Sequence, residues 1–537
     1  LHNDKSRTYD RLDILFVSVV IVLFLILYGK TLAVGLLGGD SAEFQVLSRE
    51  LGLTHPMGYP IYILLGKLFS CLPINELPWR INLLSAVTGA LALGALYLLA
   101  RVITRNHWLA LAAPFACGLT GVFWQNAIIA EVYTVSMLTS NLVLLLVLNW
   151  QKTRKSGLLL AAGLLGGLGL GIHSMVLLLA PAVLLYLLVC KAARKDWILA
   201  ALGVLAGFVV LGVSYYGLAA HHPAVDNLHT VIQPNLSRFG LTATDLDTPL
   251  ERALFIATAQ QFKGTLFTLP FAQVLIFIRT YFVSLLQSVG GAWSILALIG
   301  LIVFFVKWKG IEPRWKEGLL LGTALLILIV VPANYSIRTG IIVFFLASYS
   351  LVALLAINGL EVLWAAIESL LIRMKIVRMP TRRLILDGVI RLLLFGLVTA
   401  AFAIRLDPFH LQPAKPISDT SAIKLADIQW THYYTTKELA ESMVTQIPDG
   451  SLVFSDWRML YPMQYVAILQ GIKPNLTVIE RSPHPGNPEL TQTELDLIVS
   501  SYPERAIFFT RVVEQLEKDY IFIRSDQEPY VYRLEKK

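Results

Sequence analysis

The chain has 537 residues, 56% of them hydrophobic and 15% charged, with a net charge of +8 and a mean hydropathy of +0.65. A soluble chain of this size exposes far more charge, so most of this one is solvated by lipid and a wholly aqueous protein is excluded. The basic excess does not point to nucleic acid, and no such partner is expected, because the Lys and Arg cluster between apolar runs as membrane orientation signals do.

In chain order, "NDKSRTYDRLD" resembles the charged start of a signal peptide, but no small-residue cleavage site follows, so the first apolar run is expected to stay as an anchor. On a ruler of about twenty apolar residues per bilayer, spans are predicted near 12–32, 80–101, 107–123, 129–150, 157–173, 175–190, 197–218, 289–307, 317–333, 338–363 and 384–404. Basic clusters at Arg101/Arg105, Lys152/Arg154/Lys155, Lys191/Arg194/Lys195, Lys307/Lys309/Arg314/Lys316 and Arg373/Lys375/Arg378/Arg382/Arg383 mark alternate loops. That pattern predicts a cytoplasmic amino terminus and an outer carboxyl terminus. Cys71, Cys117 and Cys190 are scattered and match neither a disulfide framework nor a metal spacing.

Two outer segments exceed simple connectors. Residues 33–79 are predicted to hold two short helices, "SAEFQVLSREL" and "YPIYILLGKLFSCL". The second carries Lys67 and is too short to span, so it reads as interfacial or re-entrant. Residues 219–288 begin as a polar loop and continue into amphipathic stretches near 250–263 and 272–287. Residues 1–404 thus form the membrane part. Residues 405–537 read as a small soluble α/β domain, with "SLVFSD", "LTVIE", "RAIFFT" and "YVYRLE" as strands and "VVEQLEKD" as a helix.

The chemistry concentrates in "GGDSAEFQVLSRELGLTHPMGYP", residues 38–60. Asp40 followed three residues later by Glu43 is a helix cap with an N3 glutamate, and capping alone accounts for the pair. The functional reading stands beside it. Near the outer end of the first span a carboxylate can be lifted from about 4 toward neutrality and serve as a base, with a neighbour one turn on as partner or metal ligand. His55 before Pro56 is biased to an extended backbone, and "PMGYP" makes a rigid turn that aims it, with Tyr59 alongside. Arg80, Glu131, His173 and Arg338 fall at the same depth on other spans. Such residues snorkel as often as they act. Together they suit a lipid-phosphate substrate, with arginine on the phosphate and a carboxylate taking a hydroxyl proton. In the outer domain, Asp456, Trp457 and Tyr461 follow a strand end, where they pack the domain onto the membrane part or, through an aromatic ring, stack on a sugar.

The combination "GGDSAEF…LGLTHPMGYPIYILLGKLF", "FWQNAIIAEVYT" and "GLLGGLGLGIHSMVLLLAP" resembles the GT-C membrane glycosyltransferases, nearest to their protein O-mannosyltransferase group, over residues 12 to 190. The resemblance implies an α-helical polytopic fold with about eleven spans and a lipid-linked donor, usually a polyprenyl-phosphate sugar such as mannose. It also implies inverting transfer on the outer face to a hydroxyl of a protein, glycan or lipid. Carried over by position, Asp40 is the base, with Glu43 as its partner or replacement. His55, Tyr59, Arg80, Glu131, His173 and Arg338 are then candidates for binding substrate. No cofactor or metal is expected beyond the lipid-linked donor. The expected location is a bacterial cytoplasmic membrane, or the endoplasmic reticulum in a eukaryote. A transporter or lipid flippase is the alternative, and it fits less well because the polar groups gather at one surface rather than at the midplane.

Overall fold

The computed structural model describes residues 9–104, 106–242, 244–307, 313–336, 341–373, 433–481 and 490–537, with Gly396. The expected span at 384–404, the domain boundary at 405 and Arg338 lie outside the described residues.

The membrane part is helical. Helix α1 (Arg11–Lys30) starts in a capping box: Asp10 accepts the backbone N–H groups of Leu12 and Asp13, and Asp13 accepts that of Asp10. Then come α2 (Asp40–Glu50), α3 (Pro60–Ser70), α4 (Leu77–Ile103), α5 (His107–Gly118), α6 (Gly121–Ile128), α7 (Tyr133–Thr153), α8 (Gly157–Gly169), α9 (Ala180–Val189) and α10 (Arg194–His221). The series continues through α11 (Pro249–Ala257), α12 (Phe271–Val289), α13 (Gly291–Val303), α14 (Trp315–Ala333), the single turn α15 (Ile341–Phe344) and α16 (Leu346–Arg373).

Among the described residues, seven helices are long and apolar enough to cross a bilayer: α1, α4, α7, α10, α12, α14 and α16. The pair α5 and α6, bent by 70°, makes an eighth if it is one broken span. This differs from the eleven expected runs. The stretches at 157–173, 175–190 and 289–307 form shorter apolar helices. The 272–287 stretch, expected as an amphipathic part of the outer loop, is a 19-residue helix that qualifies as a span. Arg279 and two glutamines break its apolar run in the sequence, which is why it reads as interfacial.

Close helix approach depends on small residues, as expected where lipid supplies no hydrophobic drive between helices. A Cβ on Gly203 of α10 would run into the Leu160 carbonyl of α8, and one on Gly359 of α16 into the Leu296 carbonyl of α13. The two short helices expected in the first outer loop are α2 and α3.

Beyond residue 432, α17 (Tyr433–Thr445), α18 (Trp457–Gln464) and α19 (Gln492–Ser500) pack on a five-stranded sheet. Its strands are β1 (Leu452–Ser455), β2 (Thr477–Glu480), β3 (Ile507–Phe509), β4 (Tyr520–Arg524) and β5 (Tyr532–Lys536), in the order β2-β1-β3-β5-β4. The first three are parallel, and β4 and β5 close the sheet antiparallel. The stretch read as the helix "VVEQLEKD" is only a 3-10 turn at Glu514–Leu516, since β4 begins at Tyr520.

This unit sits on the face that carries α2 and α3. Val453, Val478 and Phe508 share one apolar cluster with Phe44, Leu47, Tyr62 and Ile232 of the membrane part. Arg238 forks onto Glu494 with both contacts at 2.7 Å, and Lys437 reaches Glu76 at 3.4 Å.

Candidate functional site

The loop between α1 and α2 is tied from beneath before it presents anything. Gln45 accepts the Leu37 N–H at 3.0 Å and donates to Asn82 at 2.9 Å, while Asn82 donates to the Ala33 carbonyl at 2.8 Å. Gly39 then turns the chain with φ +62°, a conformation side chains resist. A Cβ on Gly38 would stand 3.0 Å from the Arg458 carbonyl oxygen, so the glycine pair lets α18 of the carboxyl-terminal domain come close.

Asp40 is not the cap. Gly39 is, without a side-chain bond, and Asp40 is the first residue of α2. Its Oδ1 instead accepts the Trp457 indole N–H at 2.6 Å, across 417 residues of sequence. Oδ2 has no hydrogen bond among the described residues, and Asp40 is half-buried.

Glu43, one turn on, is wholly buried. Its Oε1 accepts the His55 backbone N–H at 2.7 Å and the Tyr461 hydroxyl at 3.0 Å, and its Oε2 meets His55 Nδ1 at 2.5 Å. Both oxygens are therefore committed to aiming the imidazole. His55 in turn lies edge-on to Trp457, with ring centroids 5.8 Å apart. Burial opposes charge on His55, but the Glu43 and Asp40 carboxylates outweigh it and hold the imidazole up at about 9. Glu131 stands beside α2, where Ser41 donates to it at 3.3 Å. Burial, aided by the Asp40 charge, pushes its carboxyl well above the usual range.

The remaining expected residues divide. Tyr59 packs 5.1 Å from His55 and stacks on the buried His173 at 5.9 Å and 11°, which places both beside the acids. His173 Nδ1 accepts the Met175 N–H, starting the turn before α9. Arg80 is apart from this group: its Nη1 donates to the Ser70 and Leu72 carbonyls at 2.6 and 2.8 Å, fastening the end of α3. Sequence reasoning missed Gln45 and Asn82, whose amides leave no motif, and Glu480. The last had one signal, a carboxylate ending the apolar strand "LTVIE"; it is buried within electrostatic reach of Glu43 and Asp40.

Two side-chain groups among the described residues have a composition that suits a cation. In the first, His222, Asp226 and His229, the rings stack at 3.7 Å and 13°, so one ion cannot lie in both ring planes. Asp226 bonds to both Nδ1 atoms instead. In the second, Asp10, Asp13 and His107, Asp13 is already held by Arg101 at 2.5 Å and Tyr97 at 2.9 Å.

Comparisons follow this geometry. Residues 40–196, from Asp40 through α2 to α8 and beyond, match the family model of the protein O-mannosyl-transferase TMEM260 N-terminal domain. The chain is 30% identical over 142 residues to the protein O-mannosyl-transferase tmem260 of Dictyostelium discoideum, covering 25% of this chain and 17% of the relative. It is 32% identical over 138 residues to that of Mus musculus, covering 26% and 19%. The matches thus span less than a fifth of the curated relatives. Among solved structures, ArnT from Cupriavidus metallidurans bound to undecaprenyl phosphate superposes with a TM-score of 0.55 at 13% identity, over 97% of each chain. The oligosaccharyltransferase AglB from Archaeoglobus fulgidus, in complex with an inhibitory peptide and a dolichol-phosphate, gives 0.56 at 12%, over 93% of this chain and 70% of that one. The chain shares the fold of these two proteins, the type that the GT-C resemblance implies. In that fold Asp40, Glu43 and His55 come from the first loop, Glu131 from the α6–α7 turn, and Trp457 and Tyr461 from the carboxyl-terminal domain.

Proposed function

We propose that this protein is an integral membrane glycosyltransferase that moves a hexose, mannose first among the candidates, from a polyprenyl-phosphate donor to an acceptor hydroxyl on the extracytoplasmic face. Fold alone does not assign chemistry, so the reading rests on the site and on the O-mannosyltransferase relatives. The observation that carries it is Asp40: a half-buried carboxylate with one oxygen pinned by Trp457 and the other without a hydrogen bond among the described residues. That is what a positioned base requires.

In this reaction the acceptor oxygen attacks the anomeric carbon as its proton passes to Asp40. The bond from that carbon to the phosphate oxygen breaks, and the phosphate leaves with the electron pair. Attack opposite the leaving group inverts the centre. A phosphate with a second pKa near 6 needs little help from an acid. The His55 imidazolium, held by Glu43, supplies positive charge near the departing group. Glu43 therefore acts through His55 rather than as a second base. No metal is invoked, because both Glu43 oxygens are engaged and the Asp40/Glu43 pair offers no free chelate. The proteins and folds matched are transferases, which leaves the transporter reading without support. The membrane is a bacterial cytoplasmic membrane, or the endoplasmic reticulum in a eukaryote, with the amino terminus cytoplasmic. The acceptor is a protein, glycan or lipid hydroxyl.

The test is Asp40→Asn in purified protein supplied with labelled polyprenyl-phosphate mannose and an acceptor. Transfer is expected to fall by about 10²–10⁴-fold. Transfer at the wild-type rate removes Asp40 as base, and wild-type protein that moves solute but transfers no sugar overturns the reading.

A further inference from the structure

The carboxyl edge of the parallel strands holds a charge that the proposed reaction does not use. Side chains of the sheet alternate between two clusters. Val453, Val478 and Phe508 face the one shared with the membrane part, while Phe454, Ile479 and Phe509 face the other, with α19. Continued past the strand ends, the alternation turns Glu480 toward Asp40 and Glu43, and puts Arg481 on the opposite face, together with Arg511.

Arg481 is 3% exposed, and its Nε and Nη1 have no hydrogen-bond partner among the described residues. Of the carboxylates nearby, Asp456 spends Oδ1 on the N–H groups of Arg458 and Met459 at the start of α18. Burial and the like charge of Arg511 bring the Arg481 guanidinium down to about 10. A buried guanidinium with two unbonded donors is costly, and the charges of Asp456 and Glu480, which favour it, do not outweigh burial and Arg511. The strand order β2-β1-β3 sends the chain from β1 to one side and then back past it, and parallel sheets bind ligands outside their carboxyl ends at such a reversal.

We propose that this edge is a phosphate-binding site of the outer domain, in which Nε–H and Nη1–H of Arg481 donate to phosphate oxygens and Arg511 supplies a second positive charge. The phosphate is that of a lipid carrier or a free or acceptor-borne phosphate. The site stands independently of the transferase reading.

Thermal unfolding of the full-length protein in nanodiscs tests it, with inorganic phosphate titrated against chloride at equal ionic strength. Wild type is expected to gain a saturable rise in Tm, since a ligand of the native state stabilises it. Arg481→Met is expected to unfold at a higher temperature than wild type without phosphate, because a buried unpaired charge is gone. It should bind phosphate about 10- to 100-fold more weakly, as loss of charge-assisted hydrogen bonds implies. Arg481→Lys keeps a charge and retains part of the response, so the test survives if the Met variant fails to fold. Undecaprenyl phosphate in the nanodisc distinguishes the sources. An Arg481-dependent Tm rise that competes with inorganic phosphate marks the lipid headgroup, and a response to inorganic phosphate alone marks a free or acceptor-borne phosphate. The proposal is overturned by a wild type with no saturable response, or by a Met variant that responds equally.

Discussion

Among the described residues Asp40 has one donor on it and Glu43 has three, and in the proposed reaction this asymmetry separates the group left to react from the one that aims another. The aim has a signature in pH. His55 is held at about 9 in the folded protein, above the roughly 6.5 of a free imidazole. A raised cation pKa means stability that is fully present below about pH 6.5 and drains away as pH climbs through 9. Wild-type Tm should therefore fall across that interval, and His55→Asn should lack this part of the slope. A wild-type curve parallel to that of the variant refutes the imidazolium pair. That Asp40 and His55 lie together was legible because they share one short stretch in which capping, proline and glycine signals restrict the backbone. Arg80 was not: an arginine at a span end has the same sequence signature whether it meets a phosphate or, as here, the Ser70 and Leu72 carbonyls at the end of the preceding helix.

At the level of elements, α18 matters most. It begins at a strand end, is capped by Asp456 and lays Trp457 and Tyr461 onto α2. The sequence left these residues divided between packing and sugar stacking. The structure gives them hydrogen bonds to the two acids, a pairing no local pattern reveals. Replacing Trp457 with Phe keeps an aromatic six-membered ring and removes the N–H together with the five-membered ring that carries it. Because a hydrogen bond to a charged group is worth about 1.5–3 kcal/mol, kcat is expected to drop roughly ten-fold or more with the donor KM little changed. Unaltered kcat would mean that the indole merely fills space. The 271–289 helix escaped the sequence reading for a different reason. Arg279 interrupts its apolar run, and periodicity alone does not separate an interfacial helix from a span packed against neighbours.

For the whole molecule, the carboxyl-terminal domain and the loop that carries α2 and α3 lie on one face, and two measurements address that arrangement. Cys71, at the end of α3, is exposed, whereas Cys117 and Cys190 are buried. A membrane-impermeant maleimide added outside sealed vesicles of native orientation should label Cys71 alone, and labelling only after permeabilisation would invert the proposed topology. The second concerns the Arg238–Glu494 fork. Burial opposes the Glu494 charge, but Arg238 and the Thr491 cap hold its carboxyl at about 2. That contribution is complete above the ordinary glutamate pKa of about 4.3 and vanishes as pH falls through 2. Protease access to the domain seam should rise over that range in wild type, and Glu494→Gln should show it already at neutral pH.

The 417-residue separation of Asp40 from Trp457 also sets an order in time. Ribosomes deliver the first loop long before the last domain, and domains generally fold as they emerge. The acid thus stands unclamped while the remaining helices are inserted. It gains its indole only when α18 docks, so the proposed base is complete only once synthesis is nearly finished.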